Sequence, residues 1–186
     1  KMKSGIYAAR LRAGDSEDYI PFVVRPKKGS PTARTVFLMP TNSYLAYANE
    51  QLKLSYRLAP NQTTRGAETP EDKYTEANGL MSLYDHHRDG SGVCYSSRLR
   101  PIVSLRPKYV TRILGCPHQL PADLHLIDWL EAKGHEYDVI TDEDLHFEGL
   151  DLLAPYKVVL TGSHPEYWTD SALGALETYV HQGGRL

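Results

Sequence analysis

From Leu120 onward the apolar and polar positions fall into regular spacings. Residues 121–133 place leucines, Ile127 and Trp129 at helical intervals and stop at Gly134, which predicts an amphipathic helix. Tyr137-Asp138-Val139-Ile140-Thr141 reads as a short strand, and Asp142-Glu143-Asp144-Leu145 as a turn or helix start. Tyr156-Lys157-Val158-Val159-Leu160-Thr161 reads as a second apolar strand. Residues 170–181 predict a further helix, with Leu173, Leu176, Tyr179 and Val180 on one side. Gly183-Gly184 ends it, and Arg185-Leu186 reads as the first residues of another strand. On that pattern the chain is expected to be a piece of a longer polypeptide, truncated at its C-terminus.

Upstream, Thr35-Val36-Phe37-Leu38-Met39-Pro40 is a continuous apolar run, the pattern of a strand buried on both faces of a parallel sheet. The order β-α-β-α-(β) then predicts an α/β fold with a doubly wound, mostly parallel sheet and right-handed crossovers. Residues 1–30 read differently. Ser4 to Leu11 and Tyr19 to Val24 are strand-like, with a turn-rich stretch over 12–18 between them. Two strands cannot bury a core alone, so they are expected to be the end of an upstream β domain or an edge addition. Lys27-Lys28-Gly29-Ser30-Pro31 is a polar linker into an α/β domain over 31–186. Periodicity is weak from about 50 to 110, which predicts a long irregular insertion, and such insertions are usually functional.

Composition narrows the function classes. A net charge of −2 gives no electrostatic reason to expect nucleic acid or an anionic membrane as partner. No apolar run approaches the roughly 18 residues of a membrane span. Cys94 and Cys116 are too few for a disulfide framework, and the expected location is a reducing cytoplasm. Tyrosine is abundant, at 13 against 3 Phe, and buried phenols need hydrogen-bond partners.

In open α/β sheets, ligands bind beyond the carboxyl ends of the strands. That rule selects two expected loops, Thr41 to Asn49 and Gly162 to Trp168. The second carries His164, a base, and Glu166, a hard oxygen ligand, with Pro165 stiffening the link. The plainer alternative is a loop in which Thr169 or Asp170 caps the next helix and Glu166 is solvated. Tyr84-Asp85-His86-His87-Arg88-Asp89-Gly90 invites zinc, but adjacent histidines point apart and no His-Glu-x-x-His or Cys-x-x-Cys is present. A polar turn through Asp89-Gly90 is the competing account. The two cysteines read as small buried or incidental residues, not nucleophiles, since neither sits in a strand-to-helix elbow. There is no P-loop and no Gly-x-Gly-x-x-Gly.

Three segments together resemble one family. Residues 84–101 from Tyr84-Asp85-His86-His87 to Arg100-Pro101, Gly162-Ser163-His164-Pro165-Glu166-Tyr167-Trp168, and Pro40-Thr41-Asn42-Ser43-Tyr44-Leu45-Ala46-Tyr47 are similar to the N,N-dimethylformamidase large (beta) subunit family. The resemblance implies a core like the class I glutamine amidotransferases, an upstream β-sandwich domain, and pairing with a small helical subunit as well as self-association of large subunits. It implies an amidohydrolase that turns N,N-dimethylformamide into dimethylamine and formate. It implies a mononuclear non-haem iron held by two tyrosines and a glutamate, which match Tyr44, Tyr84 and Glu166, and a catalytic histidine that matches His164. An Asn and a Glu of the family's site would fall beyond Leu186.

The implied chemistry is coherent. Phenolates and a carboxylate are hard anionic donors, three of which balance ferric iron, whereas Cys and His favour zinc or copper. Tyr47 and Tyr95 compete as nearby tyrosines. Two other readings stay open: a non-catalytic amidotransferase-like module that binds a sugar or peptide or docks a partner, and an iron enzyme for a different N-substituted amide.

Overall fold

The computed structural model describes residues 2–51, 67–112 and 114–186. It divides into two compact units, Lys1–Ser43 with Asp123–Leu186, and Tyr44–Ala122. Residues 52–66 of the expected insertion, including Pro60-Asn61 and Gly66, lie outside the described residues.

The first unit opens with an antiparallel hairpin of β1 (Gly5–Ala13) and β2 (Ser16–Val24). The turn is shorter than the expected 12–18. Only Gly14-Asp15 join the strands, and Gly14 has φ 60°, at a position where a two-residue hairpin loop favours glycine. Arg12, Glu17 and Asp18 look like turn residues in sequence because the strands are largely solvent-exposed there. Arg10 Nε in fact donates to Glu17 Oε2 across the ladder at 3.0 Å.

The sheet proper is parallel, with β3 (Thr35–Met39) between β4 (Asp138–Thr141) and β5 (Val158–Thr161). Val36, Phe37 and Leu38 have no exposed surface, as a strand covered on both faces requires. Strands β4 and β5 are each shorter than the sequence pattern suggests, because Tyr137, Tyr156 and Lys157 precede the ladder. The β1 end of the hairpin lies along β4, where Ser4 Oγ accepts the Val139 N–H at 2.9 Å. A side chain thus satisfies an N–H on the flank of β4 opposite β3. Arg25, just after β2, pairs with Asp144 and with Glu148 (2.7 Å).

Helix α1 (Thr41–Ala46) follows β3 where a loop was expected; the stretch has no Gly or Pro, and Leu45 and Ala46 are good helix formers. The division between units falls within it, and again near the start of α3 (Leu120–Ala132). After β4 the expected turn is a helix, α4 (Asp142–Glu148), capped by Thr141 and Asp144 in a reciprocal box. The short α5 (Leu150–Leu153) follows, and α6 (Asp170–His181) closes the unit. On α6 the packed face is Ala172, Ala175, Leu176 and Tyr179, whereas Leu173 and Val180 face outward. Two small alanines share this face with the larger Leu176 and Tyr179. Past α6, Val159 N donates to Arg185 O at 2.8 Å and Arg185 forms an isolated parallel bridge with Val158.

The second unit has no sheet among its described residues, but it is not structureless. Helix α2 (Pro70–Ala77) carries Thr69 as N-cap, Pro70 at its start and Asp72 returning the cap bond. A 3-10 turn spans Val103–Leu105. Among the described residues no helix is long and apolar enough to cross a membrane.

At the start of β4, fully buried Asp138 accepts the N–H groups of Thr32 (2.7 Å) and Ala33 (3.2 Å), the Thr32 hydroxyl, and the Tyr156 phenol (3.1 Å). Burial, with Asp138 second, pushes the Tyr156 phenol above its ordinary range. Asp138→Ala strands four donors. It should lower the unfolding free energy by about 3 kcal/mol or more in urea titration, and a loss below about 1 kcal/mol would show that water replaces the carboxylate.

Candidate active site

In the first unit the segment from Gly162 to Trp168 follows β5 without secondary structure of its own. It is held through its backbone. Ser163 N donates to Asp123 Oδ1 at 2.5 Å, and Asp123 is buried in the first turn of α3. A Cβ on Gly162 would stand 2.1 Å from Asp123 Oδ2 and 2.8 Å from Pro40 Cγ, so only glycine fits this approach. Further along, Glu166 N donates to Ser43 Oγ at 2.9 Å, and Asn42 Nδ2 donates to Tyr167 O at 2.9 Å. Thr169 then caps α6 by accepting the Ala172 N–H.

Within that frame His164 Nε2 and Glu166 Oε2 are 2.9 Å apart, with side chains 41% and 42% exposed. Helix capping and the His–Glu pair therefore coexist, and the plain capped-loop account is incomplete. Where Glu166 accepts, the proton sits on Nε2 and basicity falls on Nδ1.

The second unit holds the tyrosines. Tyr44 is 2% exposed on α1. Tyr84 is half-buried and stacks on Tyr47, centroids 4.4 Å apart at 15°. Tyr47 also meets His118 edge-on, and His118 Nδ1 lies 3.0 Å from Glu50 Oε1. Tyr84 sits in a tight turn in which Asp85 Oδ2 accepts Ser82 N (2.8 Å) and Ser82 Oγ (3.0 Å), while Ser82 Oγ accepts Tyr84 N (3.1 Å). Leu83 N donates to Ala46 O at 3.3 Å, tying this turn to the end of α1.

Arg100 binds the neighbouring segments together. Its guanidinium donates to Met81 O, Ala48 O, Ser96 Oγ and Ser97 O. Asn49, at φ 61°, accepts Val103 N through its side chain and donates to Pro101 O. His86 bridges Gly92 across a turn in which Asp89 Oδ1 accepts Ser91 N and Oγ, so the double histidine belongs to a small polar turn. Tyr95 is 88% exposed. Cys94 and Cys116 are both exposed rather than buried. Among the described residues no group of three or more His, Cys, Asp or Glu is placed to hold a metal; phenols are a different donor class.

All 186 residues match the family model described as N,N-dimethylformamidase beta subunit-like, C-terminal. The chain is 49% identical over 191 aligned residues to the N,N-dimethylformamidase beta subunit of Paracoccus aminophilus. It is 48% identical over 191 to the same subunit of an Alcaligenes species. The chain belongs to the N,N-dimethylformamidase beta-subunit-like family. It spans 24% of the length of each of these relatives, which cover 99% of it.

Two buried carboxylates of this dimethylformamidase-like chain escape a reading by sequence, Asp123 and Asp142. Both look like ordinary acids in a helical first turn. The Ser163-to-Trp168 segment itself was legible, but its anchors were not, since they lie on other elements. Asp142 is 1% exposed and accepts the Asn42 N–H on Oδ2 at 3.0 Å. Burial raises its carboxyl from 3.8 to about 6, against the opposing pull of the Asn42 N–H and the Trp168 indole.

A folded carboxyl raised in this way binds protons that the unfolded chain has released. Its contribution to stability is complete below the unfolded value and lost as pH rises through the folded one. Asp142→Asn stays neutral and escapes that loss. It should flatten the fall in unfolding free energy between pH 3.8 and 6, a difference on the order of 3 kcal/mol at neutral pH, measured by denaturant titration across that range. An unchanged pH slope would contradict the assignment.

Proposed function

We propose that this chain is the part of an amidohydrolase that carries the His164–Glu166 segment, and that the enzyme hydrolyses N,N-dimethylformamide or a close N-substituted amide. What carries the reading is 49% identity, over 99% of the chain, to a relative named N,N-dimethylformamidase beta subunit. The strand-end position and tethering of the His–Glu pair support it. In this reading the first unit is the beginning of a doubly wound, class I amidotransferase-like domain. The β4-β3-β5 order favours that, with Arg185 adding on beyond β5. The strand order reverses between β3 and β5, the kind of switch point at which such sheets bind ligands.

Iron is the metal this reading assigns, with Tyr44, Tyr84 and Glu166 as donors. The fit rests on donor chemistry alone: two phenols and a carboxylate are hard oxygen ligands suited to a hard, highly charged cation. Bound there, iron would supply Lewis-acid polarisation of water and of the amide carbonyl. His164 would take a proton from the attacking water at Nδ1, since Nε2 is engaged with Glu166. As the water oxygen joins the carbonyl carbon and the C–N bond breaks, that proton passes to the departing amine, giving dimethylamine and formic acid, which then releases its second water-derived proton to become formate. Ser43, Asn42 and Asp123 would keep the histidine and glutamate in place through the backbone. The relatives' name, beta subunit, supports partner subunits, and we include a small subunit and self-association of the large one. A cytoplasmic location completes the proposal.

Metal analysis of the native enzyme containing this segment, with an assay for formate released from dimethylformamide, tests the reading. Tyr84→Phe should remove most of the iron and cut kcat by at least about a hundredfold, or nearly 3 kcal/mol of barrier, with the far-UV spectrum intact. Unchanged metal content and turnover in that variant would favour a binding module without catalytic function.

A further inference from the structure

Three strand-end segments of the first unit meet at Asp142. This residue directly follows β4 and opens α4, although the cap of that helix is already supplied by Thr141 and Asp144. Its Oδ2 accepts the Asn42 N–H, from the segment that follows β3. Among the described residues its Oδ1 is buried without a hydrogen-bond partner, and so is Nε1 of Trp168, at the end of the segment that follows β5. The indole N–H nonetheless lies close enough to stabilise the carboxylate. No cation among the described residues helps hold the Asp142 charge. Asn42 and Ser43 then grip the Glu166-Tyr167 backbone directly.

His164 and Glu166 are each about two-fifths exposed. On the Glu166 side the backbone that carries them is tethered by Asn42 and Ser43. Asp142 accepts the Asn42 N–H and stands near the Trp168 indole.

We propose that Asp142 is a positioning residue for the His164–Glu166 pair, holding the segment after β5 in register with the segment after β3 through Asn42 and Trp168. This rests on the reading of that pair as part of the active site. Asp142 touches no substrate. It acts on geometry, and a small misplacement of catalytic groups lowers turnover more than binding.

The test uses the native enzyme that contains this segment, with Asp142→Ala, Asp142→Asn and Trp168→Phe compared with wild type. In Asp142→Ala, amide hydrogen exchange in a peptide covering residues 163–168 should speed up about tenfold, with peptides from β3 and α6 unchanged. The same variant should lose about tenfold or more in kcat with KM within about twofold. Asp142→Asn and Trp168→Phe each keep the Asn42 tether and lose the indole–carboxylate match. They should show the same signature at about threefold, which keeps the test alive if the alanine variant does not fold. Wild-type exchange over 163–168 and wild-type kcat in all folded variants of an active enzyme would overturn the proposal. An inactive wild-type enzyme would instead overturn the function reading, and exchange over 163–168 would still decide the role of Asp142.

Discussion

A carboxylate taken out of water has to be met by donors, and the first unit turns that requirement into order at both ends of its sheet. At the start of β4, Asp138 gathers two backbone N–H groups, a hydroxyl and a phenol, and so ties the segment leading into β3 to Tyr156, two residues before β5. At the other end Asp142 takes Asn42, and Asp123 takes Ser163. Each bond ties a buried carboxyl group to a segment that has no ladder of its own. The sheet supplies rigid strands, and the carboxylates decide where the chain goes when it leaves them. The His164–Glu166 pair inherits its position from that arrangement.

The second unit meets the same need with the signs exchanged. It lacks a sheet among its described residues, so irregular backbone carbonyls need donors from elsewhere. Arg100 gives its hydrogens to Met81, Ala48 and Ser97 carbonyls, and Asn49 bonds Pro101 and Val103. Burial lowers the Arg100 guanidinium from its ordinary value, with Asp85 opposing. The turn that presents Tyr84 is itself a closed set of Ser82 and Asp85 bonds.

What could be read from sequence follows from this difference. Repeating apolar patterns report burial, so β3, β4, β5 and α6 were legible, and the polar segment after β5 stood out against them. The packed face of α6 was misjudged in part: Leu176 and Tyr179 lie on it, but Ala172 and Ala175 complete it where Leu173 and Val180 were expected. Order carried by single polar side chains leaves no period. Arg100 looked like one basic residue among others, and Asp142 like a helix-start acid. Helix α2 is the exception, for Thr69-Pro70-Glu71-Asp72 is a capping signal that weak periodicity around it had masked. Tyr84 was picked out only by its resemblance to a family.

The choice of aspartate at position 142 follows from the two groups it faces. Asn42 offers a backbone N–H and Trp168 an indole N–H, and both are donors. An asparagine can accept one of them through its carbonyl but must then turn its own amide hydrogens toward the other. A serine or threonine hydroxyl is too short to reach both. Among side chains of this length only the carboxyl group can be an acceptor on both oxygens, and it does so best when ionised. Yet ionisation is what burial opposes here, since no cation among the described residues offsets the charge. The residue therefore holds its two neighbours at some expense to the stability of the fold. Such an arrangement is expected where geometry matters more than stability, and here it stands beside the segment that carries His164 and Glu166.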